Sequence, residues 1–171
     1  MKTKLSQVEK LGEEHNVSGF DCGKPSLDDW LKRFALTNQR NDTARTYVVH
    51  RSGVVVGFYS LAAGSIRKEE SPARIAKGLA RHPVPIILLA RLAIDVSTQG
   101  TGLGRALLKD GLSRTESASG IIGARAILVH ALDDAAGTFY ERFGFEKCPT
   151  GERQLMLLMK DLRASLGIVE P

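Results

Sequence analysis

The stretch Leu92–Leu108 limits what this chain can fold into more than any other part of the sequence. Its apolar start, Leu92–Ile94, is typical of a buried strand, and a glycine-rich turn and a helical pattern follow it. A turn of this kind presents backbone N–H groups of a helix N-terminus to a phosphate. The stretch therefore predicts a strand–turn–helix unit that binds an anion, although three glycines in five residues also suit a plain tight turn.

The spacing of the glycines excludes two common phosphate loops. Arg105 stands where a Walker loop needs a lysine, and the third glycine comes too early for a dinucleotide fingerprint. A dinucleotide site also needs an acidic residue at the end of the next strand, where His130 stands instead. What remains is Gln99-x-x-Gly102-x-Gly104.

Composition places the chain among ordinary single domains. With 171 residues and a hydrophobic fraction of 43%, it can bury a real core, and no apolar run approaches the ~20 residues of a membrane span. The start MKTKLSQVEK lacks the apolar segment of a secretory signal. Cys22 and Cys148 lie too far apart for a zinc motif. We expect a cytoplasmic protein without a structural metal.

The first half of the chain reads as a helix followed by a β-hairpin. Apolar residues from Leu27 to Ala35, including Phe34, recur at helical spacing, and Ser26 with Asp29 resembles a capping box. Two β-rich runs, 46–50 and 54–61, are joined by a short turn and predict a hairpin whose second strand extends to about Ile66. Residues 67–83 read as a long surface excursion with one short helix.

The second half reads as β-α-β-α-β. A central strand over 85–95 leads through the glycine turn into a helix ending near Ser119, with Leu103, Ala106, Leu107 and Leu112 inward. A buried strand over 125–130 follows, then a helix capped by Asp133, then two late strands. This order predicts an α/β fold: a mixed central sheet flanked by helices, as a single domain over residues 1–171.

Arg91 interrupts the central strand, where an unpaired charge is costly. Either it meets a carboxylate or it faces an open cleft and an anion. The sequence leaves both open.

A second motif strengthens the phosphate-binding interpretation. Phe139-Tyr140-Glu141-Arg142-Phe143-Gly144-Phe145 lies one strand after the helix of the glycine turn. Together, this segment and Gln99-x-x-Gly102-x-Gly104 resemble the signatures of the GNAT N-acetyltransferases, which bind acetyl-coenzyme A. We expect Phe139 and Phe143 in the core, and Tyr140, about 100° away on the helix, turned toward the cleft.

Nearly the whole chain is similar to one branch of that family, the aminoacyl-tRNA-acetylating toxins of type II toxin–antitoxin modules. The likeness includes Phe20–Gly23, Arg45–Val48, Ala90–Asp95 and Val129–Leu132. It implies transfer of an acetyl group from acetyl-CoA to the α-amino group of aminoacyl-tRNA, which blocks translation. It also implies a ribbon-helix-helix antitoxin and a homodimer.

The resemblance assigns roles to particular residues. Tyr140 is the expected general acid that protonates the leaving thiolate. The expected acetyl-CoA contacts lie in the central strand, in the turn and on the aromatic helix: Leu92, Ala93, Ile94, Val96, Gln99, Gly100, Thr101, Gly102, Leu103, Gly104, Arg105, Ala106, Phe139 and Tyr140. Val96 is expected to pair with the pantetheine arm. No residue is expected to bind a metal.

The acceptor side depends on basic residues. Net charge is +5, and basic residues are concentrated between Ile66 and Arg91. Candidate contacts to tRNA phosphates are Lys32, Arg33, Arg45, Arg74, Lys77, Arg81 and Arg91. No buried carboxylate or histidine stands out as a strong base. That favours an α-amine, with a pKa of ~8 or lower, over a lysine amine near ~10.4.

Two other functions remain open from the sequence. One is a GNAT enzyme that acetylates a protein or a small amine, which would share the turn and Tyr140. The other is a GNAT-like scaffold that binds a partner without catalysis.

Overall fold

Strands and helices follow one another in the order that the sequence predicts. A computed structural model describes residues 3–168, apart from the side chain of Glu152. The elements are, in chain order, β1 (Glu9–Lys10), α1 (Pro25–Arg33), α2 (Ala35–Arg40), β2 (Arg45–Arg51), β3 (Val54–Ile66), α3 (Ala73–Ala76), β4 (Val84–Ile94), α4 (Leu103–Ile122), β5 (Ala126–His130), α5 (Asp134–Glu141), β6 (Glu146–Cys148), β7 (Gly151–Leu158) and α6 (Met159–Ser165).

The strands form a mixed sheet in the order β1-β2-β3-β4-β5-β7-β6. β4 and β5 pair in parallel over Ile86–Leu89, whereas β2–β3 and β5–β7 are antiparallel. The β2–β3 turn places Ser52 and Gly53 at positive φ, 48° and 87°, the conformation that suits a two-residue hairpin. The predicted hairpin and the predicted α/β class are both confirmed.

The chain packs as two compact units. The first comprises the residues up to Ala62 together with Ala90–Gly111, and the second comprises Ala63–Leu89 and the residues from Leu112 onward. The core of the first unit lies between α1, α2 and the early strands, and includes Phe20, Trp30, Leu31, Val48 and Phe58. The core of the second unit includes Ile75, Val84, Leu128, Met156 and Leu158.

The start of α1 differs from the prediction. No Ser26–Asp29 capping box forms, because the helix begins at Pro25 behind Lys24, whose side chain makes no cap. Proline at the first helical position is already set for helix geometry. The buried Asp28 carboxylate instead accepts the N–H of Cys22 at 2.9 Å, which fixes the preceding loop to the helix.

The end of α1 also differs. The predicted apolar stripe fails at Phe34, which is 51% exposed, because α1 ends at Arg33 and the chain turns there into α2.

Two further segments refine the prediction. α4 continues past Ser119 to Ile122, and its buried stripe uses Leu108 rather than the exposed Ala106. The excursion over 67–83 holds a short 3-10 turn and α3, anchored by the fully buried Ile75. Within the described residues, no helix is long and apolar enough to span a membrane.

Gly57 on β3 is a position where a side chain does not fit. An added Cβ would lie 2.9 Å from Leu107 Cδ1 and 3.1 Å from both Ile94 Cδ1 and Val49 Cγ1. We expect Gly57→Ala to lower the free energy of unfolding by about 1–3 kcal/mol. Gly120→Ala, in open space on α4, should raise it by up to about 1 kcal/mol. Urea unfolding of both variants measures this, and equal effects would contradict the packing described.

Candidate functional site

The predicted order of strand, turn and helix is confirmed around the glycine turn (residues 99–104). Gly100 and Gly102 have φ of 76° and 88°, which residues with a Cβ rarely adopt. The helical hydrogen bonding of α4 includes the bond from the Ala106 N–H to the carbonyl of Gly102 at 3.1 Å. Because the first N–H groups of a helix have no partner within it, this end of α4 offers donors to an anion.

Hydrogen bonds clamp the turn to the loop that precedes α1. Asp95 accepts the N–H groups of Asp21 and Ser97, both at 2.9 Å. Gln99 Nε2 donates to the carbonyls of Cys22 and Ile94, also at 2.9 Å. Burial acts to raise the pKa of Asp95, but its hydrogen bonds outweigh burial and lower that pKa overall. The carboxylate therefore stays ionised and holds both loops.

This clamp changes the roles expected of two residues. Both amide hydrogens of Gln99 are directed at carbonyls, so its N–H groups hold the turn in place rather than point to a phosphate. Val96 donates its N–H to the carbonyl of Asp21 at 2.8 Å. The expected pairing of Val96 with a pantetheine arm through this N–H is therefore wrong, because the chain enters a 3-10 turn directly after Ile94.

The end of β4 nevertheless offers an edge for an extended ligand. The N–H of Asp95 donates to the carbonyl of Val56 on β3, and the backbone groups of every second residue in a strand point the same way. The backbone N–H and C=O groups of Ala93 consequently point toward β3. Those of Leu92 and Ile94 point to the opposite edge of β4. The pairing of β4 with β5 covers only Ile86–Leu89.

Arg91 has a partner that neither sequence alternative named. Its guanidinium lies over the Trp30 ring, with Cζ 4.0 Å from the ring centroid. The side chain is half-buried, and burial lowers the pKa of its guanidinium. Among the described residues, no carboxylate pairs with it.

Tyr140 lies on α5 in the second unit. Asp133 caps that helix as predicted, since its carboxylate accepts the Ala136 N–H at 2.8 Å. Burial raises the pKa of the Tyr140 hydroxyl well above its ordinary value near ~10. The phenol therefore stays protonated at neutral pH.

The burial of the aromatic residues in and just after α5 differs from the prediction, which placed Phe139 and Phe143 in the core. Tyr140 is only 7% exposed, whereas Phe139 and Phe143 are partly exposed. The cause is the turn at Gly144, with φ of 92°, which brings Phe145 back against the Tyr140 ring at a centroid distance of 5.4 Å.

Apart from Arg91, the basic candidates fall into two groups. Arg45 pairs with Asp42 at 2.7 Å, and Arg74 pairs with Asp161 at 2.6 Å and with Glu146 at 3.2 Å. The others are exposed and form no ion pair with any residue that the structure describes: Lys32, Arg33, Lys77 and Arg81.

Glu9, His15 and His50 form a cluster whose residue types suit a metal ion, with ligand atoms within 4.8 Å of one another. Both histidines accept backbone N–H groups at Nδ1, from Gly12 at 2.8 Å and Gly53 at 2.9 Å. Each neutral ring therefore carries its proton on Nε2, which faces Glu9 at 2.7 and 2.5 Å. A metal on Nε2 would need the opposite tautomer, so the cluster is built for hydrogen bonding. The sequence offers no periodic signal for it, because its members are far apart.

Comparison with known proteins identifies the wider likeness. A family model described as an acetyltransferase (GNAT) domain matches residues 42–147. The chain is 48% identical over 162 residues to a protein of Mycobacterium tuberculosis (strain ATCC 25618 / H37Rv) named "tRNA-acetylating toxin", covering 95% of this chain and 97% of that protein.

Solved structures show the same likeness. AtaT complexed with acetyl-methionyl-tRNAfMet matches with a TM-score of 0.87 and 28% identity, over 95% of this chain and 99% of that one. A tyrosine-to-phenylalanine variant of the AtaT toxin, bound to the C-terminus of the antitoxin AtaR and to acetyl-CoA, matches with a TM-score of 0.79 and 29% identity, over 94% and 97%.

The clamp can be tested through Gln99. Gln99→Glu replaces the amide N–H donors by an oxygen that faces two carbonyls, so we expect the free energy of unfolding to fall by about 2 kcal/mol at neutral pH. Gln7→Glu makes the same change of charge at an exposed side chain without a hydrogen bond among the described residues, and should be neutral. Thermal and urea unfolding measure both, and an unaffected Gln99→Glu would show that the clamp does not hold the turn.

Proposed function

Because this chain belongs to the GNAT acetyltransferase family, we propose that it is a toxin that transfers an acetyl group from acetyl-CoA to the α-amino group of aminoacyl-tRNA. An acetylated amine cannot enter peptide elongation, so the reaction blocks translation. The likeness to the tRNA-acetylating toxin of M. tuberculosis over nearly the whole of both chains carries this proposal. In this proposal, residues 1–171 form one N-acetyltransferase domain.

The donor site in this proposal is made of backbone. The N-terminal turn of α4 and the glycine turn hold the pyrophosphate of acetyl-CoA through their N–H groups, from Gly100 to Ala106, with positive charge from Arg105. The backbone of Leu92 and the N–H of Ile94 take the pantetheine arm as an added strand. Gln99 and Asp95 support this site by holding the turn, as their hydrogen bonds indicate.

The chemical step needs few side chains. The neutral α-amine attacks the thioester carbonyl carbon, a C–N bond forms, and the carbonyl oxygen becomes an oxyanion that backbone N–H groups stabilise. The C–S bond then breaks, the thiolate takes a proton from the Tyr140 hydroxyl, and the new amide loses its extra proton to water. The phenol regains its proton from solvent.

The burial of Tyr140 supports its role as an acid. Its raised pKa keeps the hydroxyl protonated, so it donates and does not act as a base.

The proposal also covers partners. An antitoxin tail covers the toxin, in line with the complex of the AtaT variant with the C-terminus of AtaR. We take the antitoxin to be a ribbon-helix-helix protein and the toxin to be a homodimer, and a charged tRNA substrate places the activity in the cytoplasm. Exposed cations without ion-pair partners among the described residues supply the first phosphate contacts: Lys32, Arg33, Lys77 and Arg81.

Removal of the Tyr140 hydroxyl tests the mechanism. Tyr140→Phe should lower kcat by about 10²–10⁴-fold, because the proton donor is lost, and should leave acetyl-CoA binding within a factor of about two. Tyr47→Phe, a matched change on β2, should retain activity. The assay counts acetylated aminoacyl-tRNA with labelled acetyl-CoA, beside growth on expression. If charged tRNA stays unmodified while a protein or small amine is acetylated, the proposed acceptor is wrong.

The pH profile tests the protonation states. Activity should rise with pH as the acceptor amine loses its proton, with a midpoint at or below ~8. Because burial raises the pKa of Tyr140, no falling limb should follow below pH ~10. Initial rates with a stable aminoacyl-tRNA analogue that carries an amide linkage measure this. A bell-shaped profile that declines near pH 8–9 would show that another group donates the proton.

A further inference from the structure

Arg91 ends a column of aromatic rings in the first unit. The Cζ atom of its guanidinium lies 4.0 Å from the centroid of the Trp30 ring. Trp30 in turn stacks on Phe58, with ring centroids 6.2 Å apart and an angle of 11° between the ring planes. Phe20 meets Phe58 edge to face at 5.5 Å. All three aromatic residues are buried. The column therefore gives the guanidinium a fixed support at the edge of the core.

The charge held there is not neutralised within the described part of the chain. Arg91 is half-buried and forms no ion pair or hydrogen bond with any described residue, although a guanidinium carries five N–H donors. A cation–π contact contributes about 0.5–2 kcal/mol and satisfies no N–H group. Burial lowers the pKa of Arg91, yet an arginine stays charged at neutral pH. A partly desolvated guanidinium with free donors matches an anion that accepts two parallel N–H bonds, such as a phosphate.

Arg91 does not lie on the face that carries the glycine turn. Successive side chains of a strand point to opposite faces, so Arg91 and Ala93 share the face that packs on Trp30. Ile94 points the other way, toward α4, where a Cβ on Gly104 would lie 3.7 Å from it. The anion at Arg91 is therefore not the pyrophosphate at the head of α4.

We propose that Trp30 and Arg91 form a second anion subsite, which takes a backbone phosphate of the aminoacyl-tRNA acceptor end. This rests on the proposed function and assigns it a specific contact. Trp30 is a positioning residue, since it orients the guanidinium and leaves its N–H groups free. Lys32 and Arg33, exposed in the last turn of the helix that carries Trp30, add positive charge on the same element.

Substitution of Arg91 tests the contact directly. Binding of an aminoacylated tRNA pool is measured without acetyl-CoA at several salt concentrations. Arg91→Gln should weaken binding about 10-fold or more and reduce the slope of log K against log salt by about one, because one phosphate contact is lost. The affinity for acetyl-CoA should stay within a factor of about two. Arg40→Gln removes an exposed arginine paired with Glu13 and should change neither affinity.

Stability separates this role from a structural one. Arg91→Met keeps the length and the apolar stem but removes both the cation–π contact and the cost of a half-buried charge, so the melting temperature should stay nearly the same if the cation serves a ligand. A large fall in melting temperature together with unchanged tRNA binding would show that Arg91 serves the fold instead. At Trp30, the aromatic substitution Trp30→Phe should retain tRNA binding. Trp30→Leu should weaken tRNA binding about fivefold and leave kcat unchanged, because about 1 kcal/mol of cation–π energy is lost.

Two outcomes overturn the proposal. If the wild-type protein acetylates charged tRNA but Arg91→Gln leaves the tRNA affinity and the salt slope unchanged, the subsite is disproved and the proposed function stands. A selective loss of acetyl-CoA affinity would assign Arg91 to the donor instead. A wild-type protein that neither binds nor acetylates charged tRNA would remove the proposed function itself.

Discussion

The hydrogen-bond clamp at the end of β4 is the constraint on which the glycine turn depends. Ordering a backbone residue costs about 1–2 kcal/mol, and a turn with Gly100 and Gly102 has more freedom to lose than most. Asp95 and Gln99 offset this cost with four hydrogen bonds between their side chains and backbone groups, two accepted by Asp95 and two donated by Gln99. The N–H groups at the head of α4 are thereby oriented before any ligand arrives, so binding does not have to order the turn as well.

The same clamp fixes where α1 begins. The loop at Asp21–Gly23 bonds to the turn on one side, and Asp28 of α1 accepts the Cys22 N–H on the other. Trp30 lies within that helix, so its position, and through the ring stack the position of Arg91, follows from bonds that also shape the turn. One short loop thus sets the geometry of both the donor face and the tRNA face that we propose.

Regular patterns predicted most of the fold from sequence. Period-two and helical spacing locate the hairpin, β4, α4 and α5, since both periods depend on burial of one face. The glycine spacing and the aromatic helix predicted the ligand class through family likeness. Two features escaped prediction because each depends on residues distant in sequence: the use of the Val96 N–H by Asp21 and the stacking of Arg91 on Trp30. The burial of Tyr140 against Phe145 escaped it because the turn at Gly144 reverses the chain after α5, which helical spacing does not show.

The basic residues show why composition alone is a weak guide to a polyanion partner. A net charge of +5 counts Arg45 and Arg74 equally with Lys32, yet the first two hold carboxylates of their own chain. An arginine that already pairs with a carboxylate must exchange that partner for a phosphate, and the exchange returns little free energy in water. Arg91 needs no such exchange, because its guanidinium lies over an aromatic face and pairs with no carboxylate among the described residues. The cations that matter for a nucleic acid are therefore those left without carboxylates, and only the structure separates the two kinds.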